Sequence, residues 1–448
     1  MKNIFSLLVL TSLLSFSATL QGGESGYFEK VFPAPENPSP GELPMAAEWR
    51  IWIPEGVDRI RGVVVHQHGC GNGSGDGGRT AVYDLHWQEL ARKHDCALIA
   101  SSFRLDDRPC EQWCDPRNGS AQSFFNALEY FAEYTGHEEL TSVPWALWGH
   151  SGGGQWVGSM TQLYPQRVVA AWLRSGCPDT VVKIFDELPM NDDVLNVPMM
   201  LNIGAHEYDF GIVWVSCWNY ICHMRAKNAK IGFMVDPSTH HETGSSRYPA
   251  IRFLDDMLTL RLPLEGTELL PAPQGLVLPI DRITDQEISA DNIVNDPEKP
   301  DGNYDSTERR KFLKDGLWFP SEEYVVVWRK YSIDNTFEDQ TPPPAPFEAF
   351  VNSKTGIITW RCRADVESGL KTFAIYRDGV ELTQLPTANV VNSRPVFQGV
   401  MYSDTPDFSL PEMKYQIPDY DADSGSQYTI SAFNTAGLES EKVIVVVH

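Results

Sequence analysis

One serine in the sequence has the surroundings that a catalytic nucleophile requires. Ser151 is the centre of Gly149-His150-Ser151-Gly152-Gly153, a G-x-S-x-G pattern that follows the apolar run 145–148 and precedes a helix-compatible segment. Glycines beside the serine let a strand turn sharply into a helix, and this turn lifts the hydroxyl above the sheet. The bare pattern also occurs by chance, so its position between a strand and a helix carries the prediction that Ser151 is a nucleophile.

A serine hydroxyl needs a general base, and the base needs a carboxylate that orients it. After a strand–serine–helix turn of this kind, the expected chain order is serine, acid, histidine. The predicted strand 198–203 ends in Gly204-Ala205-His206-Glu207-Tyr208-Asp209. We favour Glu207 as the acid because it lies three residues beyond Gly204, with Asp209 as the alternative and Asp179 as a more distant third.

The base is expected in the loop after the next strand, 231–235. That loop contains His240-His241-Glu242-Thr243-Gly244, and we favour His241 over His240 as the base. A metal site on the paired histidines has no matching carboxylate spacing, and no C-x-x-C pair occurs in the chain. We therefore expect neither a metal nor a cofactor.

Acyl transfer also requires N–H groups that bind the oxyanion. One donor should be the backbone N–H of Gly152, directly after the nucleophile. The strand 62–66 leads into His68-Gly69-Cys70, which resembles the HG oxyanion signature of esterases, so the N–H of Cys70 is the expected second donor. Trp214 and Trp218 lie between the acid and base strands, where they either pack in the core or contact the substrate.

The surrounding pattern predicts an α/β fold with a doubly wound, mostly parallel sheet. Short apolar runs alternate with amphipathic segments, as in parallel sheets whose strands are buried on both faces. The predicted strands are 62–66, 97–101, 144–148, 168–174, 198–203 and 231–235. The predicted helices are 85–94, 121–135, 154–164 and 248–260.

With the serine, the acid loop, the histidine loop and the HG turn in this order, residues 45–262 resemble the α/β-hydrolase family. The segment covers about half of the chain and is most similar to dienelactone hydrolases, polyhydroxybutyrate depolymerases and feruloyl or acetyl-xylan esterases. The resemblance implies an acyl-enzyme mechanism with Ser151, His241 and Glu207 as the triad. It does not specify the substrate.

The chain changes character after the predicted catalytic domain, residues 22–264. Residues 265–341 form an acidic connector expected to pack on that domain, with a short helix near 322–330. The run Pro342-Pro343-Pro344-Ala345-Pro346 is a stiff boundary. Recurring strand patterns in 342–448 predict a small all-β sandwich, and Trp360, Tyr376 and Tyr428 resemble positions of a fibronectin type III module.

The N-terminus and the composition indicate the compartment and exclude some partners. A basic start, an apolar run at 4–16 and small residues near Ala18 predict a signal peptide over residues 1–21. We therefore expect a secreted or periplasmic protein with no membrane anchor after cleavage, and a monomer. A net charge of −24 and a pI near 4.8 argue against nucleic acid as a partner.

Export permits disulfides, and the chain has 8 cysteines. Seven of them lie before residue 265, so up to three bridges are expected, and spacing alone cannot assign their connectivity. The short Cys110/Cys114 and Cys217/Cys222 separations are candidates for closing small loops.

Taken together, these features predict a secreted serine esterase that acts on acetyl or feruloyl esters of a polymeric carbohydrate. A polyester depolymerase and a serine peptidase are the alternatives within serine hydrolases. A catalytically inactive hydrolase fold that serves adhesion is the alternative from another class.

Overall fold

The computed structural model describes residues 23–71, 81–103, 110–207, 211–278, 316–385 and 413–448, with the side chains of residues 211, 212 and 334 left aside. The predicted signal peptide, the alternative acid Asp209 and the acidic part of the connector around 291–308 lie outside the described residues. Among the described residues, no helix combines the length and apolarity needed to cross a membrane.

An eight-stranded sheet forms the centre of the first domain, with strand order β1-β2-β4-β3-β5-β6-β7-β8. β1 and β2 are antiparallel to each other and β2 is antiparallel to β4, whereas all pairs from β4 to β8 are parallel. The strands are β1 Gly26–Phe32, β2 Ala47–Ile53, β3 Gly62–Gln67, β4 Cys96–Phe103, β5 Trp145–His150, β6 Val168–Arg174, β7 Met199–Gly204 and β8 Ile231–Asp236.

Helices cover both faces of this sheet, which confirms the predicted α/β class. They are α1 Leu85–Lys93, α2 Glu111–Cys114, α3 Ser120–Thr135, α4 Gly152–Leu163, α5 Asp192–Leu195, α6 Gly211–Ala226, α7 Arg247–Arg261 and α8 Glu322–Asp334. α3 and α4 cover one face, whereas α1, α7 and α8 pack side by side on the other. Strands β3 to β8 are fully buried because both faces are covered, so their sequences are continuously apolar rather than alternating.

Local sequence explains where several helices begin and end. The Asp84 carboxylate accepts hydrogen bonds from the N–H groups of His86 (2.9 Å) and Trp87 (3.3 Å) and so caps α1. Its other oxygen lies 2.7 Å from Arg247, which joins the starts of α1 and α7. Gly136 ends α3 with φ of 77°, a conformation that glycine adopts without strain.

The connector lies against the catalytic domain through β9 Leu276–Leu278, β10 Leu317–Phe319 and α8. Two side chains of α8 reach the sheet and its helices: Trp328 donates to the Phe233 carbonyl (2.6 Å) and Tyr324 to that of Pro249 (2.9 Å). Helix α8 has 13 residues and is longer than the predicted segment 322–330.

The last part of the chain forms two four-stranded sheets, ordered β15-β12-β11-β18 and β14-β13-β16-β17. The strands are β11 Phe347–Val351, β12 Ile357–Arg361, β13 Thr372–Arg377, β14 Val380–Leu385, β15 Lys414–Gln416, β16 Tyr428–Phe433, β17 Val443–Ile444 and β18 Val446–Val447. Trp360 and Tyr428 lie in a shared core between the sheets, which is consistent with the predicted β-sandwich.

The β-sandwich is docked on the catalytic domain. Leu85 of α1 belongs to the hydrophobic core of the sandwich, and the carbonyl of Val366 lies 2.9 Å from Nε2 of His86. Arg363 forms an ion pair with Glu89 of α1. The two units therefore share apolar and polar contacts at the N-terminal half of α1.

Sequence patterns missed β1 and β2, which form one side of the sheet. The exposure of β1 alternates along the strand, but its exposed positions include Tyr27 and Val31, and the charged residues Glu48 and Arg50 interrupt the apolar residues of β2. Helix α6 was expected only as an insertion, because its apolar residues surround the helix rather than forming one stripe.

Candidate active site

Ser151 lies on a sharp turn between β5 and α4. Its φ of 56° and ψ of −121° are rare for a residue with a side chain, and its N–H donates to the carbonyl of Arg174 at 2.8 Å. A Cβ at Gly149 would overlap the carbonyl of Gly153, and one at Gly153 would overlap that of Gln67. The glycines of the motif are therefore required by close backbone contacts around a strained serine.

The structure brings Ser151, His241 and Glu207 into one hydrogen-bonded chain. Oγ of Ser151 lies 2.8 Å from Nε2 of His241, and Nδ1 of the same ring is hydrogen-bonded to Oε1 of Glu207. The serine is partly exposed, whereas the carboxylate is fully buried. The arrangement has the order and geometry of a nucleophile, a general base and an orienting acid.

Sheet register explains how residues far apart in sequence meet here. His150 is paired with Arg174 across β5 and β6, and Gly204 with Asp236 across β7 and β8. The loops that follow these parallel strands therefore leave the sheet at the same edge.

The second carboxylate oxygen of Glu207 is held by two donors. The Ser175 hydroxyl donates to Oε2 at 2.7 Å, and the N–H of Gly204 donates to the same oxygen at 3.1 Å. Ser175 follows β6 directly and itself has a φ of 50°. These contacts give the buried carboxylate one orientation, with Oε1 directed at His241.

Two of the alternative triad residues, His240 and Asp179, have other partners than Ser151. His240 is exposed and its ring lies 5.5 Å from that of His206, while its N–H donates to Glu242 (3.2 Å). Asp179 accepts from the N–H groups of Ile184 (2.6 Å) and Phe185 (2.7 Å) and so orders its own loop. Asp209 lies outside the described residues.

The expected oxyanion loop lies against the nucleophile. A Cβ at Gly69 would lie 2.8 Å from Cβ of Ser151, so the HG turn passes directly beside the serine. Gln67 orders this turn because it accepts from Ser101 (2.6 Å) and donates to the carbonyl of His68 (3.2 Å).

A disulfide between Cys70 and Cys110 covers the start of α4, and a Cβ at Gly152 would overlap both sulfur atoms. This bridge spans 40 residues, and the two short-separation cysteine pairs are not bonded. The disulfide thus places Cys70 and Gly152, the two predicted oxyanion donors, in the same small region.

His150, which precedes the nucleophile, supports the base. Its Nε2 lies 2.7 Å from the carbonyl oxygen of His241, and the two rings are 4.9 Å apart. Complete burial lowers the pKa of His150 well below its usual value, and the adjacent His241 lowers it further. His150 is therefore a neutral donor to the histidine loop at neutral pH.

Trp214 and Trp218 pack against Phe233 of β8, at centroid distances of 6.4 and 5.7 Å. Only 7% of Trp214 and 5% of Trp218 is exposed. Most of each indole is therefore occupied by core contacts in this conformation.

One group of carboxylates in the described part of the chain has the spacing to hold a metal ion, but it lies on the connector and the β-sandwich. Oxygens of Asp339, Asp365 and Glu367 lie within 4.8 Å of one another. The amide of Asn434 already donates to Asp339 (2.8 Å) and Asp365 (3.0 Å), so these groups join the connector to the sandwich.

Three supporting residues were missed at the level of sequence: His150, Arg174 and Ser175. Each lies at the end of a predicted strand or one to two positions beyond it, and this location was the available signal. Their partners come from loops 30 to 90 residues away, so no local pattern reveals the contacts.

The sheet order, the strained serine after β5 and the histidine after β8 define an α/β-hydrolase fold. No protein-family model matches the chain, and no curated protein matches it.

Solved structures with some likeness include poly(aspartic acid) hydrolase-1 from Sphingomonas sp. KT-1, at 16% identity over 51% of this chain and 98% of that chain, with a TM-score of 0.37. A ferulic acid esterase matches at 15% identity over 52% of this chain and 99% of that chain, with a TM-score of 0.36. An S-formylglutathione hydrolase from Staphylococcus aureus matches at 12% identity, over 52% and 99%, with a TM-score of 0.37. At these values the function has to be argued from the site itself.

Proposed function

We propose that the protein is a serine hydrolase that cleaves carboxylic esters through an acyl-enzyme. The observation that supports this most strongly is the continuous hydrogen-bonded chain from the Ser151 hydroxyl through His241 to the buried Glu207. The serine stands on a strained turn directly beside the loop that carries Gly69 and Cys70, where acyl transfer requires donors to an oxyanion.

In the first half of the reaction, Nε2 of His241 accepts the proton of Ser151 as Oγ attacks the ester carbonyl. The carbonyl oxygen becomes an oxyanion, and the N–H groups of Cys70 and Gly152 stabilise it. His241 then gives its proton to the leaving alcohol as the C–O bond breaks, which leaves an acyl group on Ser151.

In the second half, a water molecule takes the position of the alcohol. His241 accepts a proton from this water, whose oxygen attacks the acyl carbon, and then returns the proton to Oγ as the carboxylic acid is released. Throughout, the Glu207 carboxylate orients the ring by accepting the Nδ1–H hydrogen bond and stabilises the imidazolium.

The test is the substitution Ser151→Ala compared with Ser159→Ala. Ser159 is buried in α4, the helix that begins directly after Ser151, and its hydroxyl has no hydrogen-bond partner among the described residues, so it is a matched control. We expect Ser151→Ala to lower kcat for a p-nitrophenyl ester by about 10³-fold or more and to abolish fluorophosphonate labelling, with an unchanged circular dichroism spectrum. Labelling and turnover at wild-type levels in this variant would overturn the proposal.

We further propose an exported enzyme that acts on acylated polysaccharide. The signal-peptide pattern of residues 1–21 supports export, and the disulfide between Cys70 and Cys110 suits an oxidising compartment. The third support is the C-terminal β-sandwich, whose sequence resembles a fibronectin type III module, because such a module next to a hydrolase domain resembles the organisation of enzymes that deacylate extracellular polysaccharides.

The substrate class is tested with a panel of polymers. We expect release of acetate or ferulate from acylated xylan, measured by chromatography. Release of hydroxyacids from a polyhydroxyalkanoate alone would contradict the polysaccharide proposal and favour a depolymerase. Cleavage of peptides alone would favour a peptidase, and no turnover together with no fluorophosphonate labelling would favour an inactive adhesion protein.

A further inference from the structure

Arg174 is a buried arginine at the end of β6, and its side chain is directed at the loop that carries His241. Its Nη2 donates to Oγ1 of Thr239 at 2.9 Å and to the carbonyl of His240 at 3.3 Å. The same nitrogen donates to the carbonyl of Glu242. The two carbonyls belong to the residues on either side of His241.

Because Arg174 is buried, its hydrogen bonds to the loop that carries His241 cannot be replaced by bonds to water. None of the side chain is exposed, and among the described residues Nε and Nη1 have no hydrogen-bond partner. A buried guanidinium that lacks its acceptors is costly, so the loop carbonyls are held toward it. Because guanidinium is planar and stiff, it fixes the direction of these carbonyls better than a flexible ammonium would.

Arg174 is also connected to the nucleophile through its backbone. Its carbonyl accepts the N–H of Ser151 at 2.8 Å, and the residue is paired with His150 across β5 and β6. One residue thus contacts the nucleophile turn with its main chain and the base loop with its side chain. The separation of Ser151 and His241 depends on both contacts.

We propose that Arg174 is a positioning residue that sets the distance and angle between Nε2 of His241 and Oγ of Ser151. This inference rests on the proposed serine hydrolase function. Small displacements of reacting groups lower the rate strongly, since a misplacement of about 1 Å costs about 10²-fold. Arg174 acts on kcat through the base, without contact with the substrate.

The chain offers a matched control in Arg261, the last residue of α7, which contacts the other end of β6. Arg261 is 6% exposed, and its Nη1 donates to the carbonyl of Val168 (3.0 Å) and to that of Val169. Like Arg174, it is a buried arginine that binds backbone carbonyls. Its contacts lie about 20 Å from Ser151, because Val168 and Arg174 are at opposite ends of β6 and a strand rises about 3.3 Å per residue. The comparison separates positioning from the general loss of a buried arginine.

The experiment compares Arg174→Met, Arg174→Lys and Arg261→Met with the wild type, using a p-nitrophenyl ester and a fluorophosphonate. We expect Arg174→Met to lower kcat and the phosphonylation rate of Ser151 by about 10²-fold, with KM within about threefold of the wild type. Arg174→Lys should recover about tenfold of the lost kcat, because an ammonium can still bind loop carbonyls. Arg261→Met should lower the melting temperature but keep kcat within about twofold.

Each result has a definite meaning. The proposed function fails if the wild-type protein neither hydrolyses the ester nor reacts with the fluorophosphonate. The positioning role fails if a folded Arg174→Met keeps wild-type kcat, or if Arg261→Met loses as much kcat as Arg174→Met does. If Arg174→Met does not fold, Arg174→Lys decides, and an unchanged phosphonylation rate in that variant overturns the inference.

Discussion

At the scale of single residues, burial and two hydrogen-bond donors fix the orientation of the Glu207 carboxylate. It lies three residues beyond the end of β7, completely buried, and its two oxygens serve different partners. Oε2 accepts from Ser175 and Gly204, which leaves Oε1 to hold Nδ1 of His241. A buried carboxylate with this set of donors has little freedom to move, as an orienting acid requires.

The assignment of the acid predicts different effects for Glu207→Gln and Asp209→Asn. We expect Glu207→Gln to lower kcat by about 10³-fold or more, because the amide no longer stabilises the imidazolium or favours the required tautomer. Asp209→Asn should retain kcat within about threefold. Steady-state kinetics on an aryl ester at neutral pH measures both.

Ser175→Ala provides a graded check on the same assignment. It removes one of the two donors to Oε2 and should lower kcat by about tenfold, which is an intermediate loss. A larger loss in Asp209→Asn than in Glu207→Gln would show that the acid has been misassigned.

At the scale of elements, the disulfide joins the loop after β3 to the start of α2. Cys70 and Cys110 are 40 residues apart, and both sulfurs lie over Gly152 at the beginning of α4. The covalent link and the side chain of Gln67 both contribute to the position of the described part of this loop. The proposed oxyanion donor at Cys70 depends on these links.

Loss of this disulfide should affect both stability and rate. A crosslink of 40 residues contributes about 4 kcal/mol in the chain-entropy model. We expect the double variant Cys70→Ala/Cys110→Ala to melt at a clearly lower temperature and to lose about tenfold in kcat, because one oxyanion donor is less well placed. Differential scanning calorimetry and ester kinetics measure the two effects.

A reductant gives the matching control. Cys70 and Cys110 form the one disulfide among the described residues, so reduction of the wild-type protein should reproduce the effects of the double variant. The same treatment should leave the double variant unchanged. Wild-type protein with an unaltered melting temperature and kcat after complete reduction would contradict the role given to the bridge.

At the scale of the whole molecule, the connector and the β-sandwich are joined to the face of the sheet that carries α1 and α7. Tyr331 of α8 donates to the buried Asp236 (2.5 Å), the last residue of β8 and the start of the His241 loop. Tyr248 of α7 stacks on Phe337 at 3.9 Å. The C-terminal half therefore supports the elements from which the base loop begins and ends.

The docked arrangement predicts that the two units unfold together. Leu85 of α1 is 8% exposed and lies in the core of the sandwich, so Leu85→Ala should destabilise the protein by about 2 kcal/mol. We expect a single calorimetric transition in the wild type, shifted down by a few degrees in Leu85→Ala. Leu264→Ala is the control, because Leu264 is 83% exposed and should melt like the wild type. Independent melting of the sandwich in the wild-type protein would contradict the docked arrangement.

The sequence by itself determined the elements whose signals are local. An apolar strand followed by a glycine-flanked serine predicts the nucleophile turn. The reason is that the backbone around this turn is too closely packed to admit side chains at the flanking glycines. The predicted ends of the buried parallel strands differ from the observed ends by no more than two residues, and both ends of β6 are as predicted. The prediction succeeds because burial on both faces makes these sequences continuously apolar. Chain order then limited the acid and the base to two loops.

Only the tertiary structure decided between neighbours within those loops. His240 and His241 are adjacent in the sequence, and the tertiary structure places the ring of His241 between Ser151 and Glu207. The roles of Arg174 and Ser175 and the pairing of Cys70 with Cys110 also arise from contacts across the sheet edge. The physical reason is that sequence patterns record how a segment is buried, whereas hydrogen bonds between loops depend on how separate strands align in space.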